Sequence, residues 1–253
     1  MSFNKITADE IRAMKLRGEK IAALTAYDYP MTKLLDDAGI PLILVGDSLG
    51  MVVLGYSDTT QVTMEEIEHH LKACARAKPR ALLVADMPFG TYENPEAALK
   101  NARRLMGAGA EAVKAEGGRE ILEQVHAVVS AGIPFLGHLG MLPQHVREEG
   151  GYHIKGKTDV ERENLLADAL ALESAGAFAV VLELVKPAVA KEVTDKISIP
   201  TIGIGAGSDC AGQILVTTDL LGTSPDYIPK HVKFKFNLAD QMRAAFSEWK
   251  KSL

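Results

Sequence analysis

Short apolar runs alternate with longer amphipathic segments along the whole chain. The runs PLILVG, ALLVAD and AVVLEL contain almost no polar residues, which is typical of parallel strands that are buried on both faces. Eight such runs predict strands at residues 20–25, 41–46, 81–86, 112–116, 134–138, 179–183, 201–204 and 214–217.

The segments between these runs have the periodicity of amphipathic helices. They predict helices at residues 63–77, 95–107, 121–131 and 161–175, with two further helices at 7–17 and 237–251. Thr63 and Glu66 have the spacing of a capping box. Glycines stand where helices should end, at Gly39, Gly109, Gly132 and Gly176. The longest predicted loop, residues 140–158, follows the fifth strand.

Strands that alternate with helices over 253 residues predict an α/β fold, a single (β/α)₈ TIM barrel covering residues 1–253. The first and last helices would be additions to the barrel. The alternative is a doubly wound open sheet. That fold normally has a glycine-rich phosphate-binding turn after its first strand, and the segment LTAYDYP is not such a turn.

Composition narrows the functional classes. The chain has 28 Lys and Arg against 33 Asp and Glu, a net charge of −5, and no basic block, which argues against a nucleic-acid-binding protein. We expect no membrane span and no signal peptide, and therefore a cytoplasmic protein, because no apolar run approaches the roughly 20 residues that cross a bilayer. Cys74 and Cys210 are far apart, which predicts neither a disulfide framework nor a thiolate zinc site.

Five polar residues fall at or just after the carboxyl ends of predicted strands: Asp47, Asp86, Glu116, His138 and Glu183. In a barrel these ends share one face, where active sites are built. Any one of them could equally be a helix cap or a loop residue, but five together favour a functional site. The carboxylates of Asp47, Asp86 and Glu116 predict a Mg²⁺ or Mn²⁺ site, because a cation relieves the repulsion between them.

Three side chains suggest roles beyond the metal. Lys114 lies two residues before Glu116 and points the same way, so we expect it to anchor a substrate carboxylate; a structural ion pair is the alternative. Glu183 stands in the apolar run VVLELV and is predicted to be a base that removes a proton from carbon, with a buried pair to Lys186 or Lys114 as the alternative. His138 either orients a substrate carbonyl or bonds a loop carbonyl.

Two weaker signals remain. The segment GIGAGSDC, residues 203–210, is similar to the phosphate-binding loop of many barrels, although its glycines could serve only a tight turn. The basic run PKHVKFKF, residues 229–236, and the pair Lys250 and Lys251 are interpreted as solvated surface or an oligomer contact.

The chain resembles the ketopantoate hydroxymethyltransferase family, also called 3-methyl-2-oxobutanoate hydroxymethyltransferase, from about residue 3 to the region of Pro229. The segments that carry the resemblance include VGDSLGMVVLGY (45–56), VADMPFGTY (84–92), AVKAEGG (112–118), PFLGHLGMLPQ (134–144), VVLELV (180–185) and PTIGIGAG (200–207). The resemblance implies a Mg²⁺-dependent barrel that transfers a one-carbon unit from 5,10-methylenetetrahydrofolate to 3-methyl-2-oxobutanoate, which forms 2-dehydropantoate in pantothenate biosynthesis.

The same resemblance implies roles for individual residues. Asp47 and Asp86 would bind the metal directly, and Glu116 directly or through water. Ser48 and Lys114 would hold the 2-oxoacid, in a substrate site that Asp47, Asp86 and His138 complete, and Glu183 would be the base. It also implies a homo-oligomer, which is a decamer in bacterial members. The residues by themselves predict only metal-assisted enolate chemistry on a small oxoacid.

Two other functions fit part of the pattern. Lyases and mutases of the phosphoenolpyruvate mutase and isocitrate lyase type share the GDS turn, but they commonly place a reactive cysteine on the loop after strand four, where this chain has none. A non-enzymatic protein that binds a metal or an oxoacid would require Glu183 to be purely structural.

Overall fold

A computed structural model describes residues 4–224, 228–232 and 236–253. Its eight parallel strands pair in chain order and close into a barrel, as the sequence predicts. The strands are β1 (Ile21–Thr25), β2 (Leu42–Val45), β3 (Leu82–Asp86), β4 (Ala112–Glu116), β5 (Phe135–Gly140), β6 (Ala179–Glu183), β7 (Thr201–Ile204) and β8 (Gly212–Leu215).

The helices are α1 (Ala8–Leu16), α2 (Tyr29–Asp37), α3 (Leu49–Val52), α4 (Met64–Ala75), α5 (Pro95–Ala108), α6 (Leu122–Ser130), α7 (Asp159–Ser174), α8 (Pro187–Lys196), α9 (Thr217–Leu221) and α10 (Leu238–Lys251). The predicted capping box at the start of α4 is confirmed: the Thr63 hydroxyl accepts from the Glu66 amide, and the Glu66 carboxylate accepts from the Thr63 amide at 2.8 Å. Within the described ranges, no helix is long and apolar enough to cross a bilayer.

The prediction for the last strand is wrong by two residues. Residues 214–217 were expected to form it, but β8 ends at Leu215 and Thr217 begins α9. The Thr217 amide donates to Thr25 Oγ1 at 3.0 Å, and its hydroxyl donates to the Thr25 carbonyl at 2.5 Å. These bonds turn the chain away from the sheet at the end of β1.

The crossover from β7 to β8 also differs from the expected pattern. Residues 205–211, all of which the structure describes, form a helix-free connection between these two strands. The expected extra helices are both present, as α1 and α10. None of the described residues of α10 is buried, and Lys250 and Lys251 are exposed at its end. Of the basic run, residues 233–235 lie outside the described part of the chain.

The barrel interior changes character along its axis. Its lower part is an apolar cluster that includes Leu42, Leu82, Val84, Ala112 and Leu136. Helix α1 closes this end, with Ala8 and Ile11 in the same cluster. Because successive side chains of a strand alternate between faces, the next inward positions of β3, β4 and β5 fall to Asp86, Lys114, Glu116 and His138. The polar site therefore rests on an apolar floor.

Candidate active site

Strand register brings the predicted polar residues together at the carboxyl end of the barrel. Asp86 on β3 is the register partner of Lys114 on β4, and Glu116 is the register partner of His138 on β5. Glu183 ends β6, and Asp47 follows β2 by two residues. The predicted convergence on one face is confirmed as a geometric arrangement.

Asp86 and Lys114 form a buried ion pair. Lys114 Nζ lies 2.5 Å from Asp86 Oδ1, and the two side chains are 4% and 2% exposed. Burial lowers the pKa of Lys114, but the carboxylates of Asp86, Glu116 and Asp47 outweigh it and raise the pKa above its ordinary value. The ammonium is therefore charged at neutral pH. The ion pair that was the alternative to a substrate-binding role for Lys114 is therefore present. It uses one of the three N–H donors of the Lys114 ammonium.

Asp47 is held by its neighbours on both sides. Its amide donates to Asp86 Oδ2 at 3.0 Å, and its Oδ2 accepts from Gln144 Nε2 at 2.8 Å. Burial, followed by the carboxylates of Asp86 and Glu116, raises the pKa of Asp47 to about 8. Burial and the negative charge around Asp47 therefore keep this carboxyl group from being fully ionised at neutral pH unless a cation is present.

His138 lies between two carboxylates. Its Nδ1 is 3.4 Å from Glu116 Oε1 and its Nε2 is 3.3 Å from Glu183 Oε2, which are ion-pair distances without hydrogen-bond geometry. Burial and the Lys114 ammonium lower the pKa of His138, but Glu116 and Glu183 raise it to about 9. Neither ring nitrogen bonds a carbonyl group in the described part of the chain.

Glu183 is more accessible than its apolar run suggests. Its side chain is 15% exposed, whereas those of Glu116 and His138 are 0% and 3% exposed. Its ion-pair contact is to His138, and not to the Lys186 or Lys114 of the structural alternative, since Lys114 is bound to Asp86. The side chain therefore stands at the rim, where a substrate can reach it.

The donor chemistry fits a hard divalent cation. The carboxylates of Asp47, Asp86, Glu116 and Glu183 lie beside the cationic side chains of Lys114 and His138. Glu116 Oε1 is buried without a hydrogen bond in the described structure, and carboxylate oxygens are the donors that Mg²⁺ and Mn²⁺ prefer. Across the described ranges, however, no three His, Cys, Asp or Glu side chains are arranged to hold a metal by themselves. Both oxygens of Asp86 are already bonded, to Lys114 and to the Asp47 amide. Oxygens from substrate and water would have to complete the coordination.

The rim of the site carries further polar groups. The Ser48 hydroxyl is 2.8 Å from the Tyr27 hydroxyl. Tyr152, in the long loop after β5, places its hydroxyl 3.9 Å from Met51 Sδ. Burial of that hydroxyl, followed by the Glu183 carboxylate, raises the pKa of Tyr152. The loop is tied across the mouth by bonds from the Lys155 amide to the Leu184 carbonyl (2.8 Å) and from Arg147 to Asp58 (2.9 and 3.2 Å).

Sequence reasoning missed Gln144 and Tyr92. Gln144 bonds Asp47 and Glu116, and Tyr92 bonds Gln144. Gln144 stands in a Pro-Gln turn within the predicted loop, and nothing in its local pattern distinguishes it from a solvated residue. Only the closed barrel shows that this turn folds back over the carboxylates.

The weaker signals find little support in the fold. A phosphate site of the expected kind uses a helix N-terminus, and the residues after GIGAGSDC lead directly into β8. Both cysteines are buried, Cys74 in α4 and Cys210 just before β8, so neither lies on the loop after β4, where lyases and mutases of the alternative type commonly place a reactive cysteine.

Comparisons with known proteins agree with the resemblance. The sequence model of the ketopantoate hydroxymethyltransferase family matches residues 5–253. A 3-methyl-2-oxobutanoate hydroxymethyltransferase from Ignicoccus hospitalis is 54% identical over 93% of this chain and 89% of its own length. Proteins of the same name from Syntrophus aciditrophicus and Moorella thermoacetica are 51% and 50% identical, over 97% and 98% of this chain and 91% and 93% of their own lengths.

Solved structures share the fold at much lower identity. A phosphonopyruvate hydrolase in complex with oxalate and Mg²⁺ is 15% identical with a TM-score of 0.66, covering 97% of this chain and 88% of that chain. A 2,3-dimethylmalate lyase is 17% identical with a TM-score of 0.62, covering 97% and 86%. At such identities the likeness shows the barrel fold alone.

Proposed function

The chain belongs to the ketopantoate hydroxymethyltransferase family, and we propose that it transfers a hydroxymethyl unit from 5,10-methylenetetrahydrofolate to 3-methyl-2-oxobutanoate, which gives 2-dehydropantoate in pantothenate biosynthesis. The observation that carries this proposal is the placement of Glu183. It is an accessible carboxylate at the rim of a buried cluster of three carboxylates and one lysine.

The buried carboxylates would hold Mg²⁺. Asp47 and Asp86 are the direct ligands in this proposal, and Glu116 completes the site directly or through water. When bound there, the cation supplies Lewis-acid polarisation of the carboxylate and keto oxygens of the oxoacid. Support comes from the hard oxygen donors and from the environment of Asp47, whose pKa is raised by burial and then by the carboxylates of Asp86 and Glu116.

Lys114 and Ser48 would hold the substrate carboxylate. Lys114 stays charged and has two N–H donors beyond its bond to Asp86. Tyr27 fixes the Ser48 hydroxyl at 2.8 Å. These contacts would leave C3 of the oxoacid on the side of Glu183.

Glu183 would remove the C3 proton. The C3–H bond breaks, the proton passes to a carboxylate oxygen of Glu183, and the electron pair forms the C2–C3 double bond of the enolate. C3 then forms a bond to the one-carbon unit, both C–N bonds between that unit and the folate break, and water supplies the hydroxyl group. The C3 proton and one proton of that water end on the two folate nitrogens. His138, 3.3 Å from Glu183 Oε2, would orient this base for the transfer. Homo-oligomeric assembly and a cytoplasmic location stay predictions.

Exchange of the C3 proton for deuterium, followed by proton NMR without folate, tests the assignment of the base. Glu183→Gln keeps the shape of the side chain but cannot accept the proton, so exchange should fall by about 10²–10⁴ while oxoacid affinity is nearly retained. Glu149→Gln is a matched control, because Glu149 is a loop carboxylate paired with Lys155 at 2.5 Å. Its exchange rate should stay near that of the wild type. Exchange at the wild-type rate in Glu183→Gln would remove Glu183 from this role.

The metal is tested separately. Asp47→Ala should abolish most Mg²⁺-dependent exchange and leave the fold intact, since this carboxylate lies above the apolar floor and not within it. Full turnover by EDTA-treated wild-type enzyme without added metal would exclude the metal-dependent mechanism.

A further inference from the structure

Gln144 has no role in the mechanism proposed above, yet its side chain makes three hydrogen bonds at the mouth of the barrel. It lies in the turn Pro143–His145 after β5 and is 1% exposed. Its backbone amide donates to Glu116 Oε2 at 3.0 Å. Its side-chain Nε2 donates to Asp47 Oδ2 at 2.8 Å and to the Met87 carbonyl at 3.1 Å.

The partners of Gln144 fix the orientation of its amide group. The Met87 carbonyl can only accept, so the NH₂ group must face it. On the other side, Gln144 Oε1 accepts from the Tyr92 hydroxyl at 2.6 Å. Tyr92 in turn accepts from the Glu116 amide at 3.3 Å. A side chain with all of its donors and its acceptor engaged has one stable position.

The bonds from Gln144 reach carboxylates on two different strands. Asp47 follows β2 and Glu116 ends β4, and one residue from a third segment of the chain bonds an oxygen of each. On Glu116 the bond occupies Oε2 and leaves Oε1 without a hydrogen bond in the described structure. The side-chain amide of Gln144 holds Asp47 and its backbone amide holds Glu116, and neither neutral group adds a charge that would compete with a cation.

We propose that Gln144 is a positioning residue for the divalent cation: it holds Asp47 and Glu116 in the arrangement that binds the metal, and Tyr92 holds Gln144. This inference rests on the metal site of the proposed function. Partners that orient metal ligands typically contribute a factor of about 10–100 to metal affinity.

Mn²⁺ alone, titrated into the purified protein and followed by electron paramagnetic resonance of the free ion, tests the proposal without substrate or turnover. Gln144→Leu should raise the Kd for Mn²⁺ by about 10–100-fold. Tyr92→Phe removes the hydroxyl that orients the Gln144 side-chain amide and that also accepts from the Glu116 backbone amide, and it should raise the Kd by a smaller factor. In the Gln144→Leu background, Tyr92→Phe should raise the Kd by a smaller factor than it does in the wild type, because its effect through Gln144 is already lost and only its bond to the Glu116 backbone amide remains.

Thr201→Val is the matched control. Thr201 is also fully buried, and its hydroxyl bonds the Thr194 hydroxyl at 2.7 Å and the Ala211 amide at 3.3 Å, but it lies at the start of β7. The Thr201→Val substitution should lower the urea midpoint, because a buried hydrogen bond is lost, and it should leave the Kd for Mn²⁺ unchanged.

The outcomes separate the two proposals. A wild-type Kd in a folded Gln144→Leu protein, or in Tyr92→Phe if the first variant does not fold, overturns the positioning role alone. An equal rise of Kd in Thr201→Val overturns it as well, since general destabilisation would then explain the effect. A wild-type protein that binds no Mn²⁺ overturns the metal site itself and this role with it.

Discussion

Replacing Lys114 with methionine should separate its structural contribution from its substrate contact. The change keeps most of the stem volume and removes the ammonium, 2.5 Å from Asp86 Oδ1. Removing one partner of a buried pair costs about 3–5 kcal/mol of unfolding free energy, because the other charge is left buried. A desolvated contact with the substrate carboxylate adds a loss of about 2–5 kcal/mol in binding, which is roughly thirty-fold to a few thousand-fold in Kd.

Two measurements are needed, calorimetric titration with 3-methyl-2-oxobutanoate in the presence of Mg²⁺ and urea unfolding. Lys15→Met is the matched control. Lys15 is a partly buried lysine that donates to the carbonyls of Thr194, Ile197 and Ile199 at 3.0, 2.8 and 3.0 Å, but it lies in α1, at the opposite end of the barrel from the site. The Lys15→Met protein should unfold at a lower urea concentration than the wild type and bind the oxoacid with unchanged affinity. If Lys114→Met binds the oxoacid as tightly as the wild type, Lys114 serves only as the ion-pair partner of Asp86.

The sequence predicted the strands well because a parallel barrel leaves a strong local signal. Each inner strand is buried on both faces and therefore reads as a continuous apolar run. A charged residue at the end of such a run, such as Asp86 or Glu183, is conspicuous for the same reason. All eight strands are parallel, so their carboxyl ends lie on the same face of the barrel. Residues that follow different strands could therefore be predicted to lie close together.

The features that sequence reasoning missed depend on contacts between distant segments. Gln144 becomes significant only because its turn lies above Asp47, 97 residues earlier in the chain. The accessibility of Glu183 likewise depends on its position at the rim, which the apolar letters around it do not reveal. The end of β8 is set by the bonds between Thr217 and Thr25 across the closure of the barrel. No local periodicity contains this information.

Two further predictions concern the chain around the site. Hydrogen bonds from Arg147 and then from Thr60 lower the pKa of Asp58 from 3.8 to about 2. This carboxylate therefore stabilises the fold above about pH 4, and its contribution is lost as the pH falls toward 2. The difference in urea midpoint between wild type and Asp58→Asn should shrink over that window, and a difference that stays constant would contradict the assignment. Gly140→Ala should reduce both stability and C3 exchange, because φ is +97° and the new Cβ would lie 2.2 Å from the Glu183 carbonyl oxygen, a backbone atom that cannot rotate away. Gly39→Ala is its control: φ is +78° but the surrounding space is open, so it should lose only the roughly 1 kcal/mol of a left-handed alanine and exchange normally. If the two variants lose the same stability and both keep wild-type exchange, the close contact between β5 and β6 does not position Glu183.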